Sequence, residues 1–268
     1  MHYEEKKKHI NNSTPLVSII TPLYNAQLFI SETILSIQNQ TYPNWELIIV
    51  DDNSSDNSVA LSEKFAREDE RIQLVKLKSN KGAAYCRNYA TQLAKGDFIA
   101  FLDADDLWHP KKLSKQLDFM KTHGCDVSLT NYLLIDDKGD SLKKRVKALS
   151  LVSFKKQHSN NYIGNLTGMY NVKQLGKILA PNIRKRQDWA VWLEAIKKSG
   201  KPAKGLQEDL AYYRVHNNSM SANKTRLIKY NYSFYKDYLG YSNVVSVYYL
   251  LRFFYEYFFI RTKQIEKL

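Results

Sequence analysis

Along the first half of the chain, short apolar runs alternate with stretches whose apolar positions recur at helical spacing. Residues 1–14 are polar and read as a tail. Residues 16–21 (LVSIIT) form a β-branched run suited to a buried strand. Residues 29–38 then place Phe29, Ile30, Thr33, Ile34 and Ile37 on one helical face. A second buried strand, residues 45–50 (WELIIV), ends in Asp51-Asp52. The cap-forming run Asn53-Ser54-Ser55-Asp56 predicts a helix over 57–67. A third strand is expected over 72–77. A turn at Asn80-Lys81-Gly82 leads into a helix reaching Ala94, and residues 98–102 (FIAFL) form a fourth strand stopped by Asp103-Ala104-Asp105-Asp106. Pro110 suits the first turn of a helix running to His123. Strands alternating with helices predict βαβ units: an α/β fold with a Rossmann-like, mostly parallel sheet flanked by helices.

Beyond residue 125 the regularity fades. A strand is expected over 127–134, a helix over 188–198 and a strand over 210–215. Residues 136–160 are polar and basic, with Lys143, Lys144, Arg145 and Lys147 close together, and read as a mobile or inserted loop. From Thr225 the chain is helical and aromatic. These shifts divide it into a tail (1–14), a main domain (15–224) with halves 15–124 and 125–224, and a C-terminal region (225–268).

With 44% hydrophobic residues, the 268-residue chain has enough apolar side chains for a sizeable core, and disorder is excluded as its general state. The formal net charge of +13 favours anionic partners: nucleic acid, acidic lipid or phosphate-bearing substrates. No RNP-like, helix-turn-helix or zinc-finger pattern is present, and acidic strand ends repel phosphate, so nucleic acid is not the expected partner. Two cysteines, Cys86 and Cys125, make neither a disulfide framework nor a zinc spacing. The N-terminus has no apolar secretory run, so a cytoplasmic domain is expected.

In parallel α/β sheets, ligands sit beyond the carboxyl ends of the strands, and the acidic clusters fall at two of those ends. Asp103 and Asp105 bracket one small residue, a donor set for a hard cation such as Mg²⁺, which takes one or two carboxylates plus substrate phosphates. Asp51 and Asp52 follow the second strand, where a carboxylate can accept from a ribose or a base N–H. In the first βα loop, Thr21, Pro22, Tyr24 and Asn25 offer a hydroxyl, an aromatic face and an amide. Asp188 opens a helix and is placed to take a proton from a hydroxyl. Taken singly, each acid is equally an ordinary helix cap or solvated turn.

Jointly they resemble a family. The stretches PLVSIITPLYNA, TYPNWELIIVDDNSSDNS, NKGAAYCRNYATQLAKGDFIAFLDADD, RQDWAVWL and YYRVHNNSMS resemble, in content and spacing, the family 2 inverting glycosyltransferases of the GT-A fold, with a likeness to those of bacterial surface-polysaccharide synthesis. The resemblance implies a nucleotide-binding half (15–124) and an acceptor-binding half (125–224). It implies that Thr21, Pro22, Tyr24, Asp51 and Asp52 hold a nucleotide, typically a uridine, with Arg87 near the donor. Asp103-Ala104-Asp105 becomes the DxD motif: Asp105 binds the metal, Mn²⁺ or Mg²⁺, and Asp103 the ribose or the metal shell. His216 approaches the metal or diphosphate, and Asp188 is the catalytic base. The implied activity is transfer of a sugar from a nucleotide-sugar donor, a UDP-sugar, to a glycan or lipid-linked glycan acceptor for a capsule or O-antigen. Many members carry Glu-Asp before the base helix where this chain has Gln187-Asp188, which keeps the base and removes its neighbour's charge. A nucleotidyltransferase would place a Gly-rich phosphate loop after the first strand, and TPLYNAQ has no glycine. A non-catalytic nucleotide-sugar-binding protein is the other alternative.

Residues 244–260 (VVSVYYLLRFFYEYFFI) approach spanning length but contain Arg252 and Glu256. On a helix these two and Lys263 fall on one stripe, and an aromatic helix with a narrow charged face suits an interfacial position. From Ser219 onward there are eight Lys or Arg against three Asp or Glu, which favours an anionic leaflet. The expected location is cytoplasmic and peripheral at the inner face of the cell membrane; an oligomer is compatible with the same helix.

Overall fold

The computed structural model describes residues 14–183, 185–216 and 224–268; most of the tail 1–14 and residues 217–221 of the YYRVHNNSMS stretch lie outside the described residues. The first half follows the sequence pattern closely. In chain order it runs β1 (Val17–Leu23), α1 (Ile30–Gln38), β2 (Trp45–Asp51), α2 (Ser58–Glu68), β3 (Ile72–Lys76), α3 (Ala83–Leu93), β4 (Phe98–Phe101), the short β5 (Leu107–Trp108) and α4 (Lys112–His123). Strands β3, β2, β1 and β4 lie side by side and parallel. The apolar runs of β1, β2 and β4 are buried on both faces, as a sheet covered by helices requires, while β3 at the edge is only partly covered. One face packs with Ile20, Ile48 and Phe101 toward α3, and the other with Ile19, Leu47 and Ile49 toward Ile34 and Ile37 of α1.

The second half continues the same sheet with strands of mixed direction. It contains β6 (Val127–Ile135), β7 (Ser141–Val146), β8 (Leu151–Val152), α5 (Phe154–Ser159), β9 (Met169–Asn171), α6 (Val172–Leu175), α7 (Gln187–Ser199) and β10 (Ala203–Arg214). β9 lies antiparallel between β4 and β6, and β10 pairs with β6 in parallel and with β5 antiparallel. This corrects the loop expected over 136–160. That segment folds into β7, β8 and α5, because its lysines and arginines line exposed strand faces while Val146, Ala148 and Val152 point inward. β10 also begins well before residue 210; its first part, with three consecutive polar residues at 207–209, pairs with β6 and β8.

The C-terminal region comprises α8 (Lys224–Ser233), a π-helical turn, α9 (Asn243–Tyr255), a second π-helical turn over 256–260 and β11 (Ile265–Lys267). It packs on the main domain: Trp189 of α7 stacks on Phe234 at 4.1 Å, Phe253 closes the cluster, and β11 adds to β7 antiparallel. The charged stripe splits: Glu256 is buried and Arg252 half-buried, while Lys263 stays exposed. Glu256 is buried against Lys156 and the Tyr162 hydroxyl, because a carboxylate with a cation and a donor at hand is better satisfied there than an aromatic face would be. Among the described residues, no helix is long and apolar enough to cross a membrane.

His158 sits in this seam, with Nε2 3.0 Å from the Tyr241 hydroxyl and its ring 4.4 Å from that of Tyr249. Burial, then the positive charge of Arg252, lowers its pKa to about 4. The folded state therefore excludes a proton that the unfolded state binds below its ordinary value near 6.5, and stability should fall as pH drops from about 6.5 toward 4, by at most about 1.4 kcal/mol per pH unit. Thermal melts between pH 7.5 and 4.5 should show this slope, and H158Q should flatten it; an equal slope in both proteins would remove His158 as its cause.

Candidate functional site

The first parallel strands deliver their acids to one edge. The register sets Leu23 beside Asp51, so the loops after β1 and β2 leave the sheet together. Asn25 and Asn53 both take positive φ, 46° and 63°, a conformation asparagine tolerates better than most residues. The loops are stitched to each other: Asn25 N–H donates to Ser54 Oγ at 3.0 Å, and Ser55 N–H to Asn25 Oδ1 at 2.9 Å. Tyr24 stands at the rim, 55% exposed. Thr21 and Asp51 are buried, yet Thr21 Oγ1 and Asp51 Oδ1 have no hydrogen-bond partner among the described residues. Buried oxygens in this state are uncommon and mark places where a polar ligand can bind.

Asp52 faces the start of α3. Its carboxylate accepts from the amides of Lys81 (2.6 Å) and Gly82 (2.8 Å). Gly82 has φ +87°, which a glycine adopts at little cost, and this aims its amide at Asp52. One turn on, burial and then the charge of Asp52 push the Cys86 thiol up to about 12, so it is no thiolate nucleophile near neutral pH.

Arg87, on the same helix, is the pivot. Its side chain is 12% exposed; one terminal nitrogen donates to Asp103 Oδ1 at 2.6 Å and the other to Gln187 Oε1 at 3.4 Å. Burial works against its charge, but Asp103 and then Asp188 outweigh it and hold the pKa above the ordinary arginine value. Arg87, Asn165, Gln187 and Asp188 line one small pocket, and Asn165 also donates to Asp103. Asp188 lies in the first turn of α7 and accepts from Asn161 Nδ2 at 2.7 Å. The residue before that helix, Arg186, is held at φ +70°, a strained setting for a non-glycine residue, anchored by a 2.7 Å bond to Asn231.

The turn after β4 is shaped by Thr33, whose hydroxyl lies 3.0 Å from both the Ala104 and Asp106 carbonyls. Because β5 pairs antiparallel with β10, the end of β10 returns to this turn. His216 Nε2 therefore lies 2.9 Å from Asp105 Oδ2. Burial, then the charge of Asp103, raises the Asp105 pKa, and His216 pulls it down. Buried Asp106 is raised well above the usual carboxylate range by burial and by Asp105 and Asp103. Arg214 is buried here, with Nε on the Asp105 carbonyl at 2.9 Å and an Nη on Glu32 at 2.6 Å, while its backbone amide donates to Asp106 at 3.0 Å.

Asp105 and His216 are thus together, with Asp103 near enough to act on Asp105 but turned to Arg87. Among the described residues, no three or more His, Cys, Asp or Glu side chains form a closed metal cluster. An oxygen–nitrogen pair beside a second carboxylate fits a hard cation that completes its shell with phosphate oxygens and water. Of the residues named from the sequence, Arg87, Asp103, Asp105, Asp188 and His216 come together around Arg87 and the turn after β4; Asp52 holds the start of the helix that carries Arg87, and Thr21, Pro22, Tyr24 and Asp51 line the adjoining strand ends. Sequence reasoning missed Arg214, Asn161 and Asn165. An arginine within a strand that otherwise alternates toward the core was the available signal for Arg214; the two asparagines carry none.

Removing the Arg87 guanidinium leaves Asp103 and Gln187 facing a cavity. R87A should lower stability in urea unfolding by about 2–3 kcal/mol, below the loss for a fully buried pair because Asp103 is 32% exposed. Pairing R87M with D103N should recover part of that loss; an R87A protein as stable as wild type would show the ion pair to be idle.

The glycosyl transferase family 2 profile matches residues 18–177. TuaG of Bacillus subtilis (strain 168), named as a teichuronic acid biosynthesis glycosyltransferase, is 44% identical over 85% of this chain and 90% of its own length. The Escherichia coli UDP-Glc:alpha-D-GlcNAc-diphosphoundecaprenol beta-1,3-glucosyltransferase WfgD is 35% identical over 89% of this chain and 92% of its own. Among solved structures, S. aureus TarS 1-349 in complex with UDP-GlcNAc superposes with a TM-score of 0.70 at 21% identity, covering 92% of this chain and 74% of that one. That likeness shows the GT-A fold. The chain belongs to glycosyl transferase family 2 and is a glycosyltransferase.

Proposed function

We propose that this enzyme is a metal-dependent, inverting glycosyltransferase that moves a sugar from a UDP-sugar to a hydroxyl of a lipid-linked glycan in surface-polysaccharide synthesis, such as a capsule or O-antigen. The observation that carries the chemistry is the gathering of Arg87 with Asp103 and Asp188, Asp105 beside Asp103 and His216, and Asp52 at the start of the helix that carries Arg87, all at the carboxyl ends of the sheet. The donor and acceptor classes are supported by the names of the relatives: WfgD uses UDP-Glc and a diphosphoundecaprenol-linked GlcNAc, TuaG is named for teichuronic acid synthesis, and TarS holds UDP-GlcNAc.

In this reading residues 15–124 bind the donor and 125–224 the acceptor. The unpartnered oxygens of Thr21 and Asp51, the Asp52 carboxylate, Pro22 and the exposed Tyr24 ring receive the nucleotide, with Asp103-Ala104 at its ribose. Asp105 and His216, with Asp103 beside them, would hold Mn²⁺ or Mg²⁺, which when bound supplies Lewis-acid stabilisation of the diphosphate leaving group. A Mn²⁺ ion accompanies GDP-Man in a related fold, PcManGT of Pyrobaculum calidifontis. Asp188 takes the proton of the acceptor hydroxyl as its oxygen bonds to the anomeric carbon and the bond to the diphosphate breaks on the opposite face, which inverts that centre. Asn161 fixes the Asp188 carboxylate for this task. Arg87, with its charge held by Asp103 and Asp188, keeps the donor side and the base at a constant separation.

D188N should lower turnover by about 10²–10⁴-fold while leaving UDP affinity unchanged. Normal turnover by D188N, measured as UDP release with a lipid-linked acceptor, would remove Asp188 as the base. D105N should abolish the Mn²⁺-dependent part of UDP binding in calorimetry; a metal dependence equal to wild type would place the ion elsewhere.

A further inference from the structure

The outward face of α9 takes no part in the site. Val244, Val247, Tyr248, Leu251, Tyr255 and Phe258 recur at three- and four-residue intervals and are all exposed, Val244 at 81%, Leu251 at 64% and Phe258 at 58%. Ser246, Phe253 and Glu256 face the protein. A continuous apolar and aromatic ridge of this kind on a soluble domain is a mark of a binding surface.

The surrounding charge identifies the occupant. Glu256, the one acid within 243–264, is buried and bonded to Lys156 and Tyr162, so it contributes no outward negative charge. Glu266 is bonded to Arg145 and Lys147. The exposed charges that follow the ridge are cationic: Lys263, Lys267 and, across the β7–β11 pairing, Lys144. An aliphatic and aromatic ridge with tyrosines along it and lysines at its end matches the layered chemistry of a bilayer surface, acyl chains below and anionic headgroups at the rim. A second copy of this chain is itself strongly cationic at +13, so an anionic surface complements the lysines better than self-association does.

We propose that this protein docks on an anionic lipid bilayer through the outward face of α9 and the turn after it, lying in the plane of the interface, with Lys144, Lys263 and Lys267 on the headgroups. Docking is independent of the sugar-transfer chemistry, so the two can fail separately. The probe is co-flotation of the full-length protein with vesicles of phosphatidylcholine alone or mixed equally with phosphatidylglycerol. Binding should need the anionic lipid and weaken with salt. L251D/F258D should reduce it roughly tenfold or more, and K144Q/K263Q/K267Q should reduce it by a similar factor while removing most of the salt dependence. UDP binding and the melting temperature, measured on the same samples, should stay at wild-type values and show that the variants are folded. Absence of flotation by wild type, or equal flotation by folded L251D/F258D, would overturn the proposal. So would a wild-type dimer in sedimentation velocity that L251D/F258D dissolves without any change in flotation.

Discussion

Everything at the sheet edge depends on holding many carboxylates in one place. Asp51, Asp52, Asp103, Asp105 and Asp106 leave neighbouring strand ends, and Asp188 approaches from α7. Burial and then the neighbouring like charges raise the proton affinity of Asp105 and Asp106. Two buried arginines answer this. Arg87 comes from α3 and binds Asp103; Arg214 comes from the end of β10 and binds the Asp105 carbonyl and Glu32. Neither arginine could be buried without those oxygens, and the oxygens could not gather without the arginines. The pairing therefore fixes how far apart the donor edge and the base helix stand.

That constraint gives the Gln187 departure a physical meaning. Arg87 reaches both Asp103 and Gln187. With a glutamate at 187, a second charge would compete with Asp103 for the guanidinium. A neutral amide leaves the charge-assisted bond with Asp103 as the strong one and contributes a weaker contact at 3.4 Å. Asp188 is oriented instead by Asn161, an amide donor that positions a carboxylate without adding a charge of its own.

Most of the first half was legible because strand and helix periods, cap residues and glycine turns agree there, so local preference and tertiary fold point the same way. β1, α1, β2 and β3 fall within a residue or two of the expected bounds. The second half was less legible. β7 and β8 carry too few apolar residues to announce themselves, and they exist because β6 and β10 offer them edges. The acids were visible as residue types at strand ends, but their partners were not: Asn161 and Asn165 sit in connecting segments where asparagine is common, and only the packing of α5 and β9 brings them to Asp188 and Asp103.

The C-terminal region was legible in composition but not in which of its side chains turn inward, and the inward ones show what it does for the rest. Arg261 donates to the Asn161 carbonyl and to Asn160 Oδ1 (3.2 Å), and Gln157 Nε2 holds the Asn161 side chain at 2.8 Å. Asn161 in turn holds Asp188. On the other side of Asp188, strained Arg186 is tied to Asn231 and sits 5.7 Å from the Phe253 ring. Residues from both ends of the C-terminal helices thus brace the start of α7. Turning Arg252, Glu256 and Phe253 inward to build that brace leaves only the apolar ridge of α9 to face outward. One sequence pattern thereby serves two sides: the inward side chains brace the segment that orients Asp188, and the apolar ridge takes no part in that brace.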